Sequence, residues 1–285
     1  MPWLNGFLRD NTFMILVTGA SGKTGRAIIA QLSKRQIPVR AWVRRADAQI
    51  VGATELFVGN MEQPADWQRA FEGVQKIYHI CPNMHPSEVA IGEMAIKYAV
   101  QSGIDHFVYH SVLHPHIQEM PHHWNKLLVE EGLFKSGLVF TILQPTAYMQ
   151  NLLPQLSSIK KDGVLRLPYP ADTRISLVDL NDVAETAAIV LASGRFAGAI
   201  LELVGTDPLS QHEVMRLLGQ WLKRDVVYEE ILLEAWEESN QYLPQYVQET
   251  LLAMFRYYAE FGLVGNKAVL DLVLQRRPTG LVEFF

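Results

Sequence analysis

A glycine-rich turn near the beginning of the chain places the strongest limit on the fold. Residues 13–25, FMILVTGASGKTG, pass from mostly apolar residues into a turn that contains Gly19, Gly22 and Gly25, and a helical pattern follows. Glycines at this spacing allow a tight turn, close approach of a ligand and close packing of helix on strand. The first helical NH groups then face an anion. The segment therefore predicts a nucleotide-binding unit, with a purely structural turn as the alternative.

Apolar strand-like segments alternate with helical segments up to residue 145. Strands are predicted at 39–43, 54–58, 76–80, 106–110 and 139–143, and helices at 64–71, 87–102 and 122–136. This alternation is typical of an α/β fold with a Rossmann-type, doubly wound parallel sheet. Ligands of such folds bind at the carboxyl ends of the strands.

The second half of the chain is less regular. Helices are predicted at 151–160, 181–191 and 243–261, short strands at 164–167, 174–178 and 199–204, and a capping box formed by Ser210 and Glu213 begins a helix that ends at Trp221. We therefore expect a nucleotide-binding domain at residues 1–150 and a smaller C-terminal α/β substrate lobe at 151–285, with some elements returning to the main sheet. Residues 1–13 are interpreted as an extension that the fold does not need.

Composition and charge narrow the class of protein. Hydrophobic residues make up 49% of the chain and charged residues 19%, as in an ordinary globular protein. The net charge of −5 argues against nucleic acid as the main partner. A single cysteine, Cys81, excludes an internal disulfide, and neither a signal peptide nor a membrane-spanning run is evident. We expect a cytoplasmic monomer or homodimer that does not bind membranes.

The end of the second strand indicates which dinucleotide is bound. Arg44 and Arg45 stand where NAD-binding proteins usually carry a carboxylate. Two guanidinium groups suit a 2′-phosphate and favour NADP(H) over NAD(H), although a solvated strand end is the alternative. Strand order places Asn60 near the adenine and Cys81 near the nicotinamide ribose. The turn residues predicted to bind the cofactor are Gly19, Ser21, Gly22, Lys23, Thr24 and Gly25.

A serine, a histidine and a lysine are the candidate catalytic residues. Ser111 follows the fifth strand and lies at the carboxyl edge of the predicted sheet. His122 and Lys126 are four residues apart in a predicted helix and share one face. A histidine with an ordinary pKa of about 6.5 exchanges protons near neutral pH. A helix-start residue that makes a local bond is the alternative for His122.

The remaining histidines and aromatic residues suggest the character of the pocket. Six of the nine histidines lie between His106 and His123, without a CxxC or HExxH motif. We therefore favour a polar pocket wall that includes His114, and predict no metal site. The aromatic run at 254–261 is interpreted as core of the lobe. If part of it faces the cleft, the substrate is a small apolar or aromatic molecule.

The chain resembles the NmrA-like family of atypical short-chain dehydrogenases/reductases over most of its length. The resemblance rests on VTGASGKTG, on VRR after the second strand, on HHWNKLLVEEGLFKSGLVFTILQPTAYMQN, on VDLNDVAE and on the final RRPTGLVEFF. It implies a Rossmann fold with a small C-terminal substrate lobe and a cofactor that is usually NADP(H).

The resemblance also assigns roles to individual residues. Ser111 matches the serine that orients the substrate carbonyl in the wider superfamily, and Lys126 matches the lysine that contacts the cofactor. His122 stands where the superfamily has its acid tyrosine, which puts ordinary alcohol dehydrogenation in doubt. The resemblance also implies that the segment with Gln144, Tyr148 and Asn151 lines the substrate cleft.

Three functions follow from these features. The favoured one is an NADP(H)-binding oxidoreductase, an NADPH-dependent reductase of an apolar carbonyl, enone or quinone-like substrate. The missing tyrosine keeps open a non-catalytic NADP(H) redox sensor that acts through a regulatory protein partner, since the family includes such proteins. A non-redox isomerase or cyclase that uses the same pocket is the third.

Overall fold

A computed structural model describes residues 13–285 of the chain. Its strands are β1 (Ile15–Val17), β2 (Val39–Val43), β3 (Glu55–Val58), β4 (Lys76–His79), β5 (His106–His110), β6 (Phe140–Pro145), β7 (Ala147–Tyr148), β8 (Val164–Leu167), β9 (Arg174–Ile175), β10 (Leu177–Val178), β11 (Ile200–Leu203), β12 (Leu209–Ser210) and β13 (Val227–Glu230). Its α-helices are α1 (Lys23–Lys34), α2 (Pro64–Ala70), α3 (Glu88–Ser102), α4 (Pro121–Ser136), α5 (Leu156–Asp162), α6 (Leu180–Ser193), α7 (Gln211–Leu222), α8 (Leu233–Ser239), α9 (Gln245–Phe261), α10 (Ala268–Leu274) and α11 (Leu281–Phe284). A 3-10 helix, Met149–Gln155, precedes α5.

Seven of these strands form one parallel sheet in the order β11-β6-β5-β4-β1-β2-β3. Ile15 of β1 pairs with Val39 on one side and with Lys76 on the other. The chain therefore winds outward in both directions from β1, and a crevice opens where the order reverses between β1 and β4. The doubly wound α/β fold predicted from the sequence is confirmed.

Helices cover both faces of the sheet. One apolar cluster joins the sheet to α1, α6 and α10, and a second joins it to α2, α3 and α4. Side chains alternate between the two along each strand. On β4 and β5, Tyr78 and Val108 belong to the first cluster, whereas Ile77, Phe107 and Tyr109 belong to the second. Neighbouring residues at the end of β5 consequently face different helices.

The second half of the chain builds a smaller lobe but also completes the main sheet. A third apolar cluster packs α7 and α9 around β8 and includes Leu218 and Tyr258. Strand β11 pairs with β6 in the main sheet, and α6 contributes to the first apolar cluster, which packs on one face of that sheet. The predicted capping box of α7 is confirmed, because Ser210 and Glu213 exchange backbone and side-chain hydrogen bonds.

Two segments differ from the sequence prediction for identifiable reasons. The helix predicted at 151–160 is a 3-10 helix followed by α5, because Pro154 has no N–H to donate in a regular α-helix. The strand predicted at 174–178 is divided, since β9 pairs with β12 while β10 pairs with β7. Strand β13, which pairs with β8 outside the main sheet, was not predicted, nor were the two-residue strands β7 and β12 and the short helices α8 and α10.

The last residues of the chain are anchored on α6. Asp182 is fully buried and accepts hydrogen bonds from Nη2 of Arg276 at 2.6 Å and from the backbone N–H of Thr279 at 2.7 Å. A buried carboxylate needs such donors, because an unpaired charge in the interior is strongly unfavourable. The segment 276–279 therefore fixes the C-terminus against the main sheet.

The predicted N-terminal extension lies outside the described residues, except for Phe13, which packs against the first apolar cluster. Within residues 13–285, no helix is both long and apolar enough to cross a lipid bilayer.

Candidate cofactor and active site

The glycine turn connects β1 to α1 at the carboxyl edge of the sheet. Gly19 has a φ of +59°, in the left-handed region that favours glycine. A Cβ atom on Gly25 would overlap the carbonyl oxygen of Gly19 and lie 2.7 Å from Cα of Ala20. The third glycine is therefore required for α1 to pack on the turn.

The beginning of α1 is suited to an anion. Gly22 is the N-cap residue and supplies no side-chain acceptor for the first helical N–H groups. Ser21, Gly22 and Lys23 are exposed, while Thr24 and Gly25 are buried against the turn. Free N–H groups, the positive end of the helix dipole and the Lys23 ammonium together favour a bound phosphate.

The residues predicted to bind the adenosine half lie at the same edge. Arg44 and Arg45 are exposed beyond the end of β2, and Nε of Arg45 is 3.1 Å from a carboxylate oxygen of the exposed Asp47. Such an exposed pair is weak and easily exchanged for a ligand. Asn60 is also exposed, and its side-chain oxygen accepts a bond from the N–H of Glu62. A 2′-phosphate near Arg44 would therefore interact with positive charge while it stays exposed to solvent.

Cys81 differs from the other predicted cofactor residues because its side chain is in the core. It is 4% exposed and belongs to the second apolar cluster. Burial, together with the nearby carboxylate of Glu88, raises the pKa of the thiol well above its usual range. A cofactor contact at this position would therefore come from the backbone rather than from sulfur.

Lys126 is paired with a buried carboxylate that the sequence did not suggest. Its Nζ lies 2.9 Å from Oε1 of Glu88, at the beginning of α3, and 3.3 Å from the carbonyl oxygen of His110. The side chain of Glu88 is only 3% exposed, and that of Lys126 is 12% exposed. The hydroxyl of Tyr109 donates to the same Glu88 oxygen at 3.1 Å. The ammonium is thus held at the end of β5 by α3.

Ser111 is also engaged by a buried carboxylate. Its hydroxyl donates a hydrogen bond to Oε1 of Glu130 on α4, and Nε2 of Gln144 donates to both Glu130 oxygens at 2.9 and 3.1 Å. Burial raises the pKa of Glu130, while the bonds from Ser111 and Gln144 oppose the rise. Because its hydrogen already points at Glu130, Ser111 is not free to donate to a substrate carbonyl in this arrangement.

His122 lies in a pocket of histidines. Burial, and to a smaller degree the neighbouring His123 and Lys126, lower the pKa of His122 well below its usual value. Its ring meets that of His123 edge to face at 4.4 Å between centroids, and within residues 13–285 its Nδ1 has no hydrogen-bond partner. Nδ1 of His123 is 3.2 Å from the carbonyl oxygen of His114, a half-buried residue. The face shared by His122 and Lys126 is as predicted, but a protonated His122 is strongly disfavoured.

A hydrogen-bonded chain of three side chains lies on the face of the sheet that carries the first apolar cluster. Nε2 of His110 is 2.8 Å from the hydroxyl of Tyr148, and Nδ1 of His110 bonds the hydroxyl of Tyr78. Nζ of Lys23 lies 5.3 Å from the Tyr148 ring centroid and donates to the side-chain oxygen of Asn151 at 2.9 Å. Tyr148 and Asn151 therefore lie beside the glycine turn.

Sequence reasoning missed several residues of this site. Glu130 carries a detectable signal, because it is four residues after Lys126 and shares its helical face. Tyr246 on α9 belongs to the smaller lobe, and its hydroxyl accepts a 2.9 Å hydrogen bond from the side chain of Asn125. No local sequence pattern indicates this contact. The remaining missed residues are Glu88, His110 and Tyr78.

In the part of the chain that the structure describes, no group of three or more His, Cys, Asp or Glu side chains is placed to hold a metal ion.

The fold and the turn together define a dinucleotide-binding protein of the Rossmann type. The NmrA-like family matches residues 11–285, and the chain belongs to that family. The resemblance predicted from the sequence motifs is thereby confirmed.

Curated and solved relatives agree with this assignment. An NAD(P)H azoreductase from Xenophilus azovorans is 29% identical over 278 residues, which cover 95% of this chain and 96% of the relative. The NADPH complex of the Escherichia coli quinone oxidoreductase QOR2 superposes with a TM-score of 0.84 at 23% identity, over 95% of this chain and 98% of that one. NmrA, a negative transcriptional regulator solved with NADP, superposes with a TM-score of 0.80 at 19% identity, over 96% and 94% of the two chains.

Proposed function

We propose that the protein is an NADPH-dependent reductase of a small apolar acceptor such as a carbonyl, an enone, a quinone or an azo compound. The observation that carries the proposal is the set of polar groups at the carboxyl edge of the sheet. The glycine turn with the open N-terminus of α1 follows β1 and the exposed Arg44 and Arg45 follow β2, while buried, hydrogen-bonded polar side chains lie at the ends of β4 and β5. The azoreductase named above is a relative over nearly the whole chain and supports the same chemistry.

The residues present fit a bound NADP(H). The first N–H groups of α1 would hold the diphosphate, and Arg44 and Arg45 would meet the 2′-phosphate. The ammonium of Lys126, which α4 brings to the end of β5 beside Glu88, would contact the nicotinamide ribose. When bound, the reduced nicotinamide supplies a hydride, and the chain's own residues orient the acceptor and supply a proton.

A regulatory NADP(H) sensor is the second candidate. It is favoured by the engagement of Ser111 with Glu130 and by the burial of His122, which leave two of the three predicted catalytic residues without a free proton to donate. An isomerase or cyclase gains no such support. Burial lowers the pKa values of His110, His122 and His123, so these side chains do not exchange protons readily near pH 7.

Cofactor titration followed by a turnover assay separates these functions. Fluorescence titration with NADPH and NADH measures the two affinities, and NADPH absorbance then follows turnover with azo dyes, quinones, enones and aldehydes. Steady-state oxidation of NADPH with any acceptor supports the reductase and excludes a non-catalytic sensor. Tight NADPH binding without oxidation by any member of the panel contradicts the reductase and supports the sensor.

Removing one guanidinium tests the cofactor preference directly. In Arg44→Ala, we expect the Kd for NADPH to rise by about 10- to 100-fold, the effect of one charge-assisted hydrogen bond to a phosphate. The Kd for NADH is expected to stay unchanged, because NADH has no 2′-phosphate. Arg195→Ala, which removes an exposed arginine after α6, is the matched control. Equal weakening of both cofactors would show that Arg44 does not read the 2′-phosphate.

A further inference from the structure

We propose that Tyr148 is the proton donor of the reduction, and that His110, itself oriented by Tyr78, positions the Tyr148 hydroxyl. The inference rests on the proposed reductase function. It concerns a residue at the end of β7 that packs against the first apolar cluster, whereas His122 lies on α4, which packs against the second. Its basis is the hydrogen-bonded chain from Tyr148 through His110 to Tyr78.

The buried end of this chain fixes the direction of its hydrogen bonds. Tyr78 is fully buried, and among residues 13–285 its hydroxyl has one hydrogen-bond partner, Nδ1 of His110. A neutral imidazole has one N–H and one bare nitrogen, whereas a phenol can both donate and accept. If Nδ1 carried the hydrogen, the Tyr78 hydroxyl would be left with a buried hydrogen and no acceptor, which costs about 1–3 kcal/mol. Tyr78 therefore donates to a bare Nδ1.

The charge state of His110 is consistent with this direction. Its ring is buried, and burial lowers its pKa to about 3, with a smaller contribution from Lys126. His110 is neutral at pH 7 and carries a single hydrogen, which then lies on Nε2. That N–H donates across 2.8 Å to the hydroxyl oxygen of Tyr148.

Tyr148 is left with a hydrogen that can be given away. Because its oxygen accepts from His110, its own hydrogen is available to a second acceptor, and the Thr24 hydroxyl is near enough to exchange a hydrogen bond with it. Tyr148 is half-buried beside the glycine turn, with Lys23 over its ring and Asn151 close by. Ser111, by contrast, donates to Glu130, and His122 is held neutral by burial. Of Ser111, His122 and Tyr148, Tyr148 is therefore the residue best placed to donate a proton to a bound acceptor.

The same contacts stabilise the anion that proton donation leaves behind. Burial raises the pKa of Tyr148 overall, but the Thr24 hydroxyl offsets part of that rise and the N–H of His110 already points at the Tyr148 oxygen. Preorganised donors aimed at a developing charge are an effective form of catalysis.

The step balances with the reductant that the proposed function names. A bound NADPH would supply the hydride, which carries two electrons and one proton, so the acceptor would be reduced and its heteroatom would become basic. The O–H bond of Tyr148 breaks, its proton goes to that heteroatom, and the electron pair stays on the Tyr148 oxygen. A proton from water restores the phenol before the next turnover.

Two measurements test the proposal, and the first of them does not depend on enzymatic turnover. In the cofactor-free protein, ¹⁵N NMR of the imidazoles, with His110 assigned by comparison with His110→Gln, is expected to show a hydrogen on Nε2 and a bare Nδ1. In Tyr78→Phe, which loses the buried donor, the two tautomers are expected to mix. A His110 hydrogen on Nδ1 in the wild-type protein would overturn the proposal whatever the activity.

The second measurement is turnover of NADPH with menadione, an apolar quinone. Tyr148→Phe is expected to lower kcat by about 100-fold or more, the usual contribution of a general acid, without changing the Kd for NADPH. Tyr242→Phe, which alters a tyrosine that is 78% exposed on the lobe, is the matched control and should keep the wild-type kcat.

The outcomes distinguish this inference from the function on which it rests. If the wild type turns over and Tyr148→Phe keeps its kcat, or changes only the Kd for NADPH, Tyr148 is not the proton donor and the reductase stands. If the wild type reduces neither menadione nor any other acceptor of the panel, the reductase itself fails and the proton-donor role fails with it.

Discussion

Lowering the pH from 7 to 5 is expected to destabilise the folded protein by an amount comparable to its whole stability. Burial lowers the pKa of His79 and His110 to about 3, that of His106 and His123 to about 4, and that of His122 well below its usual value. In the unfolded chain these groups return to a pKa of about 6.5. Between about pH 6.5 and pH 3 to 4 the unfolded state therefore binds more protons, and stability falls as the pH falls.

The size of the effect follows from the number of histidines. At pH 5, one histidine with a folded-state pKa of about 3 to 4 removes about 2 kcal/mol from the free energy of unfolding, so the four of this kind remove on the order of 8 kcal/mol, and His122 acts in the same direction. A typical domain has only about 5–15 kcal/mol in total. Glu130, whose pKa is raised by burial, acts in the opposite direction but is a single group.

Denaturant unfolding at pH 7.5, 6.5, 5.5 and 5.0 measures this slope. His106→Gln, which removes one buried imidazole, is expected to reduce the slope below pH 6 by about 1.4 kcal/mol per pH unit, the equivalent of one proton. His212→Gln is the control, since that side chain is 56% exposed. A free energy of unfolding that stays constant from pH 7.5 to 5.5 would contradict the expectation.

Replacing Lys126 with methionine is expected to destabilise the protein by about 3–5 kcal/mol at pH 7, because it leaves a buried charge unpaired. The carboxylate of Glu88 is 3% exposed and has the Lys126 ammonium 2.9 Å away. Adding Glu88→Gln to Lys126→Met removes that charge and is expected to recover most of the lost stability. Urea unfolding of the four proteins of this cycle gives the coupling free energy.

The same cycle separates two roles of Lys126. If the double variant regains stability but binds NADPH weakly, the ammonium also contacts the cofactor. Lys97→Met, at an exposed position on α3, controls for the change of side chain. A double variant as unstable as Lys126→Met would mean that the ion pair is not what the substitution disrupts.

The sheet and the turn could be predicted because their signals are local. The three glycines lie within seven residues, and each strand is a short apolar run between helical segments. Position relative to the strand ends was enough to place Arg44 and Ser111 at one edge of the sheet, whereas Lys126 was assigned from its helical spacing and from the family resemblance. The predicted family and fold were both confirmed.

The partners of those residues could not be predicted, because they come from distant segments. Glu88 is 38 residues from Lys126, and Tyr78 is 32 residues from His110. Whether such side chains meet depends on how α3 packs on α4 and on the register of β4 with β5, which a residue pattern does not specify. For the same reason the sequence suggested an ordinary pKa for His122, whereas the surroundings that lower it come from the folded chain.

The attachment of the C-terminus to α6 has a consequence for how the protein is made. The donors that satisfy the buried carboxylate of Asp182 all come from Arg276 and Thr279, almost a hundred residues later in synthesis. A nascent chain that still holds these residues inside the ribosome cannot complete the surroundings of α6. We therefore expect α6 to complete its packing only after residues 276–279 have left the ribosome, so that a chain without these residues would be destabilised at the main sheet as well as in the smaller lobe.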